Sequence, residues 1–151
     1  MKRESIYLDT SVISALYDDR VKERQEETKR FFKETILRYD IYVSNLTVSE
    51  LDQTIDPVKK KEFKDFVKKF NLLKQNKEAE SLAKDYIDKK VLSKSSYEDA
   101  LHIAIASINN INYLVSWNFT DIVKVKTKRM VNFVNSMDGV KTLEIISPPE
   151  L

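Results

Sequence analysis

The 151-residue sequence predicts an α/β fold with a parallel sheet covered by helices on both faces. Two observations lead there. Short runs that are apolar throughout alternate with longer segments whose apolar residues recur every three or four positions, the periods of fully buried strands and amphipathic helices. The first apolar run also stops on an acidic residue that opens a helix, as in a βα unit. At 42% apolar and 33% charged residues the composition is that of ordinary globular material, and the length suits one domain over residues 1–151.

The elements follow in order. Ile6, Tyr7 and Leu8 form a buried strand ending at Asp9, and Thr10 and Ser11 supply capping side chains for a helix carrying Val12, Ile13, Leu16 and Tyr17. A long amphipathic helix is expected over 21–39 and a second strand at 41–43. Asn45 or Thr47 can cap the next helix, with Val48, Glu50 and Leu51. Pro57 suits the start of a helix over 58–70. Leu72 and Leu73 read as a short strand or an extended link, and 79–91 as helix. Ser95 or Ser96 can cap 97–108, which is apolar nearly all round and so must be buried. A third clear strand at 113–115, a helix at 130–134 and a terminal strand at 142–146 complete the pattern.

Composition removes whole classes of function. Cysteine is absent, so disulfides and thiolate metal sites are excluded. Gly139 is the single glycine, which leaves no glycine-rich phosphate loop or dinucleotide fingerprint. His102 is the single histidine, so no multi-histidine zinc site forms. No apolar run approaches the roughly 20 residues of a membrane span. The N-terminus lacks a long apolar stretch and a small-residue cleavage site, and a cytoplasmic location is the expectation. Chemistry, if there is any, must come mainly from carboxylates.

Ligands of open parallel sheets bind beyond the carboxyl ends of the strands. Asp9 lies just past the first strand, Asp121 past the strand at 113–115, and Glu50 about a helical turn past the second strand. Asp99 falls in the first turn of the buried helix, where the helix dipole favours an anion. Asp9, Glu50 and Asp99 are also set in apolar runs, where an unpaired carboxylate is expensive. Each close pair of carboxylates costs about 4 kcal/mol at an effective dielectric near 20, so a cluster needs a cation to offset it. All-oxygen ligands select hard ions such as Mg²⁺ or Mn²⁺. Two such ions can clamp the attacking and leaving oxygens of a phosphodiester. The competing readings are a plain helix cap for Asp9 and a dipole-complementing acid for Asp99.

Four segments resemble the ordered motifs of PIN domains, VapC-type toxins among them. They are Tyr7-Leu8-Asp9-Thr10-Ser11-Val12-Ile13, Val48-Ser49-Glu50-Leu51, Ser96 to Ala104, and Leu114 to Ile122 with Trp117-Asn118-Phe119-Thr120-Asp121. The resemblance spans roughly residues 5 to 147 and implies a three-layer α/β/α fold. It further implies an Mg²⁺- or Mn²⁺-dependent endoribonuclease leaving a 5′-phosphate and a 3′-hydroxyl, in the role of a toxin with a small antitoxin partner, and a homodimer. Asp9, Glu50, Asp99 and Asp121 then carry the metal and the chemistry. Many relatives have Asp where this chain has Asn118, so one ion or two stays open, and Asn118 is a secondary candidate through its carboxamide oxygen. Thr10 and Ser11 are candidates for bonding a phosphate or a ligand carboxylate. His102, one turn after Asp99, is another.

Lys124, Lys126, Lys128 and Arg129 are candidates for RNA phosphate contact, and Lys59, Lys60, Lys61, Lys64, Lys68 and Lys69 form a second basic face. Trp117 is a candidate for base stacking, with a buried core role as its rival. Among other functions, a haloacid-dehalogenase-like phosphatase wants a second Asp where Ser11 stands, and a receiver domain wants an acidic pair that is not evident. A catalytically weak or inactive PIN-like RNA- or protein-binding module is the remaining alternative.

Overall fold

The computed structural model describes residues 2–151. Its strands are β1 (Ser5–Leu8), β2 (Asp40–Ser44), β3 (Asn71–Leu73), β4 (Tyr113–Val115) and β5 (Glu144–Ile146). They form one sheet in the order β3-β2-β1-β4-β5, and every pairing is parallel. The helices are α1 (Thr10–Leu16), α2 (Lys22–Lys33), α3 (Asn45–Leu51), α4 (Pro57–Val67), α5 (Lys77–Asp88), α6 (Tyr97–Ile108) and α7 (Val125–Met137). The chain builds outward from β1 to β3, then returns to add β4 and β5 on the other side. The order therefore reverses between β1 and β4, the place where open α/β sheets form a crevice for ligands.

The expected three layers are present. Alternation along β1 sends Ile6 and Leu8 to one face, among Val12, Ile13, Phe31, Phe63 and Val67. It sends Tyr7 to the other face, among Ala83, Tyr86, Ala104 and Val131. Helix α6 is the centre of that second layer: Ala100 to Ser107 are all buried, which accounts for its all-round apolar sequence. Among the described residues no buried side-chain polar atom lacks a hydrogen-bond partner, and no helix is long and apolar enough to cross a membrane.

Several boundaries differ from the sequence reading. The helix expected over 21–39 ends at Lys33, and a 3₁₀ turn (Thr35–Arg38) delivers the chain to β2. The β-branched pair Thr35-Ile36 disfavours further helix. Residues 71–73 form edge strand β3. Ser44, rather than Asn45, caps α3, and Thr47 completes a capping box with it. Neither Ser95 nor Ser96 caps α6 through its side chain, because a 3₁₀ turn (Lys94–Ser96) leads into that helix. Helix α7 starts at Val125 and ends at Met137, well beyond 130–134, its exposed Lys-rich first turn having hidden the apolar period.

Helices α5, α6 and α7 end alike, with Lys90, Asn110 and Gly139 in the left-handed region at φ 62, 56 and 71. In each case the next amide closes the helix, as when Val91 N–H donates to the Tyr86 carbonyl at 2.9 Å. Gly139 adopts this conformation freely, whereas Lys90 does so at a cost of about 1 kcal/mol. The weight of the fold rests on α6 against the sheet. Ile103→Ala, at a fully buried position, is expected to cost about 2–5 kcal/mol. Urea unfolding should show a lowered midpoint with an unchanged slope.

Candidate active site

The parallel register sets Leu8 beside Val115, so the residues leaving β1 and β4 meet at the carboxyl rim. Asp9 is one of them and is buried, only 4% exposed. It occupies the cap position of α1, yet its side chain makes no capping bond. Its carboxylate instead accepts from Ser11 Oγ and from Ser116 Oγ, each at 2.6 Å. Both hydroxyls are held in turn. Ser11 Oγ accepts from the Trp117 amide at 2.9 Å and Ser116 Oγ from the Asn118 amide at 2.9 Å. The rotors of both serines are thus aimed at Asp9, and the helix-cap reading of this residue is set aside. Burial pushes the Asp9 carboxyl above its ordinary range, and the two hydroxyls and His102 offset this only in part.

Glu50 is fixed by a second set of bonds. Its Oε1 accepts from Thr10 Oγ1 at 2.5 Å and lies 2.5 Å from His102 Nε2. The other ring nitrogen, Nδ1, is 2.6 Å from the Tyr7 hydroxyl, which lies 2.7 Å from Ser44 Oγ. Burial works to raise Glu50, but the hydrogen bond and charge of His102, with Thr10, outweigh it and hold the carboxyl down at about 2. Glu98 sits against Glu50 and holds its proton more tightly than an ordinary glutamate for that reason.

Asp99 is half-buried at the start of α6. Burial raises its carboxyl most, the charges of Asp121, Asp9 and Glu50 add to this, and His102 partly opposes it, leaving it at about 6. Asp9, Glu50 and Asp121 thus lie within electrostatic reach of Asp99. Asn118 links two of them: its Nδ2 donates toward Asp99 Oδ2 at 3.4 Å and its Oδ1 accepts from the Asp121 amide at 3.0 Å. Among the described residues no Lys or Arg forms an ion pair with Asp9, Glu50, Asp99 or Asp121.

Among the described residues, no group of three or more His, Asp or Glu side chains is drawn together tightly enough to enclose a metal ion. The donor set nevertheless suits Mg²⁺ or Mn²⁺. These ions prefer oxygen, and Mg²⁺ usually takes only one or two carboxylates and completes its shell with water and substrate phosphate. A buried anion without a cationic partner is the other half of the fit.

The secondary candidates separate clearly. Ser11, Thr10 and His102 all bond to an acid of the rim. Trp117 is buried, donates its Nε1–H to Thr28 Oγ1 at 2.9 Å and lies under the Arg24 guanidinium at 5.1 Å. It serves the core rather than a base. Lys124 and Lys126 line a groove with Asp121, a lining that does not include Lys128 or Arg129. Sequence reasoning missed Tyr7, Ser116 and Glu98. Ser116 follows β4 as Asp9 follows β1, so knowledge of strand adjacency would have found it. Tyr7 carried no signal beyond a polar tip within an apolar strand.

A family model described as PIN domain matches residues 6–120. No curated protein matches the sequence significantly. Among solved structures, the chain is similar to FitAcB from Neisseria gonorrhoeae, with TM-score 0.62, 18% identity, 97% of this chain and 99% of that one covered. It is similar to VapC20 from Mycobacterium tuberculosis, described as a sarcin-ricin loop cleaving toxin, with TM-score 0.63, 16% identity and coverage of 76% and 91%. It is also similar to VapBC-1 from nontypeable Haemophilus influenzae, with TM-score 0.60, 15% identity and coverage of 96% and 98%. At such identities these structures establish the fold.

The raised Asp99 carboxyl has a consequence for stability. Its folded value lies above its unfolded one, so ionising it opposes folding, and stability falls as pH rises from about 4 through 6. In EDTA, Asp99→Asn is expected to be more stable than the parent at pH 7.5 by about 1–2 kcal/mol, the full shift being discounted for partial exposure. Thermal unfolding should show this gain vanish as pH falls toward 4. A variant less stable than the parent at pH 7.5 would mean that Asp99 is paired rather than repelled.

Proposed function

The chain belongs to the PIN-domain family, and on that premise we propose that it is a divalent-metal-dependent endoribonuclease, the toxin of a toxin–antitoxin pair. One observation carries the proposal: Asp9 is buried, aimed by two serine hydroxyls, and without an ion-paired lysine or arginine among the described residues. A helix cap or a salt bridge would each leave a different arrangement. Neighbouring folds support the toxin role, since one is a sarcin-ricin loop cleaving toxin and others come from toxin–antitoxin complexes.

In this reading the 1–151 chain is one nuclease domain. Asp9, Glu50, Asp99 and Asp121 would hold Mg²⁺ or Mn²⁺, with the Asn118 carboxamide oxygen as an auxiliary ligand. Such an ion, when bound, would supply charge neutralisation for phosphate and a water acidic enough to act as nucleophile near neutral pH. The chain's own work is positional. Ser11 and Ser116 keep the Asp9 oxygens fixed, while Thr10 and His102 keep Glu50 ionised and oriented. Asp99, its carboxyl raised to about 6, is readily ionised near neutral pH and so free to serve a cation. RNA is the substrate, a small antitoxin and a second copy of the chain are the partners, and the cytoplasm is the place of action.

A second reading, a PIN-like binding module with weak or no catalysis, draws support from Asn118 in place of an acid and from the lack of a tightly closed acid group. A metal-titrated cleavage assay on RNA separates the two. The nuclease should require Mn²⁺ or Mg²⁺ and stop in EDTA. Asp9→Asn and Asp99→Asn should abolish cleavage with the fold intact, and Ser116→Ala should cost about 10–100-fold as a residue that orients a ligand. RNA binding indifferent to EDTA, with no cleavage at any metal concentration, would establish the binding module instead.

A further inference from the structure

The two basic faces seen in the sequence differ in their state. On α4, Lys60 and Lys64 both reach Asp52, at 3.6 and 3.1 Å, and Lys68 reaches Asp65 at 3.5 Å. That face is neutralised in part, since Lys59, Lys61 and Lys69 form no ion pair among the described residues. On the opposite layer, the end of α5, the turn before α6 and the start of α7 enclose a groove of about 610 Å³. Lys90, Lys94, Lys124 and Lys126 line it, Ile87 and Val91 give it an apolar floor, and Asp121 lies at its edge. None of these lysines is in an ion pair among the described residues. Lys90 reaches this wall from a left-handed backbone that a lysine rarely adopts.

The groove continues past Ile87, Asp88 and Lys94 into a second depression of about 820 Å³, which Tyr97 lines. Tyr97 is 37% exposed and stands two residues before Asp99. Unpaired cations, an apolar floor and an accessible aromatic ring therefore lie along one path that meets the acidic rim. A row of unpaired lysines fits a phosphate backbone, and an accessible ring fits the face of a base. A duplex hides its base faces and would leave Tyr97 unused. Asp88, in the wall of both depressions, also disfavours a simple anion cup.

We propose that this groove is the track of a single-stranded RNA, with phosphates on Lys90, Lys94, Lys124 and Lys126 and one base stacked on Tyr97, leading the strand to the rim at Asp121. The choice of RNA rests on the nuclease reading above. Lys90, Lys94 and Tyr97 join the site on this account, and Lys128 and Arg129 leave it.

The test is fluorescence anisotropy of a short labelled single-stranded RNA in EDTA, so that cleavage plays no part. Lys94→Gln and Lys126→Gln should each reduce the slope of log affinity against log salt by about 0.7, the value of one lost phosphate contact. Tyr97→Ala should weaken binding roughly 5- to 150-fold, while Tyr97→Phe keeps it. Lys90→Gly relieves the backbone and should fold at least as well as the parent, yet bind less tightly. Lys33→Gln, at the end of α2, should change nothing. An unchanged salt slope in both glutamine variants, parental binding by Tyr97→Ala, or equally tight binding of a duplex of the same sequence would overturn the proposal. If any of these occurs while the parent cleaves RNA with Mn²⁺, the groove falls and the nuclease stands. RNA held as described but never cut supports the groove and sinks the nuclease.

Discussion

The carboxylate of Asp9 has given up nearly all its water and, among the described residues, received no lysine or arginine ion pair in return. In a low-dielectric setting that is a large cost, and the fold bears it at the point where the strand order reverses. Two serine hydroxyls, each locked by a backbone amide, partly replace the lost solvent. They donate to the anion but cannot neutralise it. Burial raises the Asp99 carboxyl as well, and the charges of Asp121, Asp9 and Glu50 add to it. An arrangement so costly to the bare chain is sensible in a protein that completes it with something positive.

A second line of bonds ties this rim to the core. Ser44, Tyr7, His102 and Glu50 form a continuous chain of contacts between 2.5 and 2.7 Å, running from the cap of α3 through the sheet to α6 and back to α3. Tyr7 and His102 are buried and belong to the packing layer of α5, α6 and α7. Glu50 is therefore oriented by the interior rather than by solvent. Such networks rigidify what they touch, provided that every member is satisfied, and here each is.

Charge outside the rim is sorted by layer. Lys60, Lys64 and Lys68 meet acids of their own helix or of the α3 end, so part of that face's field closes on itself. Among the described residues the lysines near Asp121 have no ion-pair partner, and they lie along a groove. The net charge of +2 concealed this separation, because it averages two faces of different character.

What could be read from the sequence by itself was the periodic part of the protein and its polar exceptions. Apolar runs of strand length and the all-round apolar α6 determined an α/β fold with a covered parallel sheet, since burial demands those patterns. Asp9, Glu50 and Asp99 stood out because carboxylates inside apolar runs need a reason. Tertiary structure alone decided the rest. That Ser116 donates to Asp9 follows from β4 lying beside β1, a pairing between residues 107 apart. That His102 meets both Tyr7 and Glu50 follows from α6 packing in the layer toward which Tyr7 points. Which lysines are free depends on side chains from separate elements arriving at one place. Local periodicity records which face of an element is buried; it carries no record of which distant residue that face will meet.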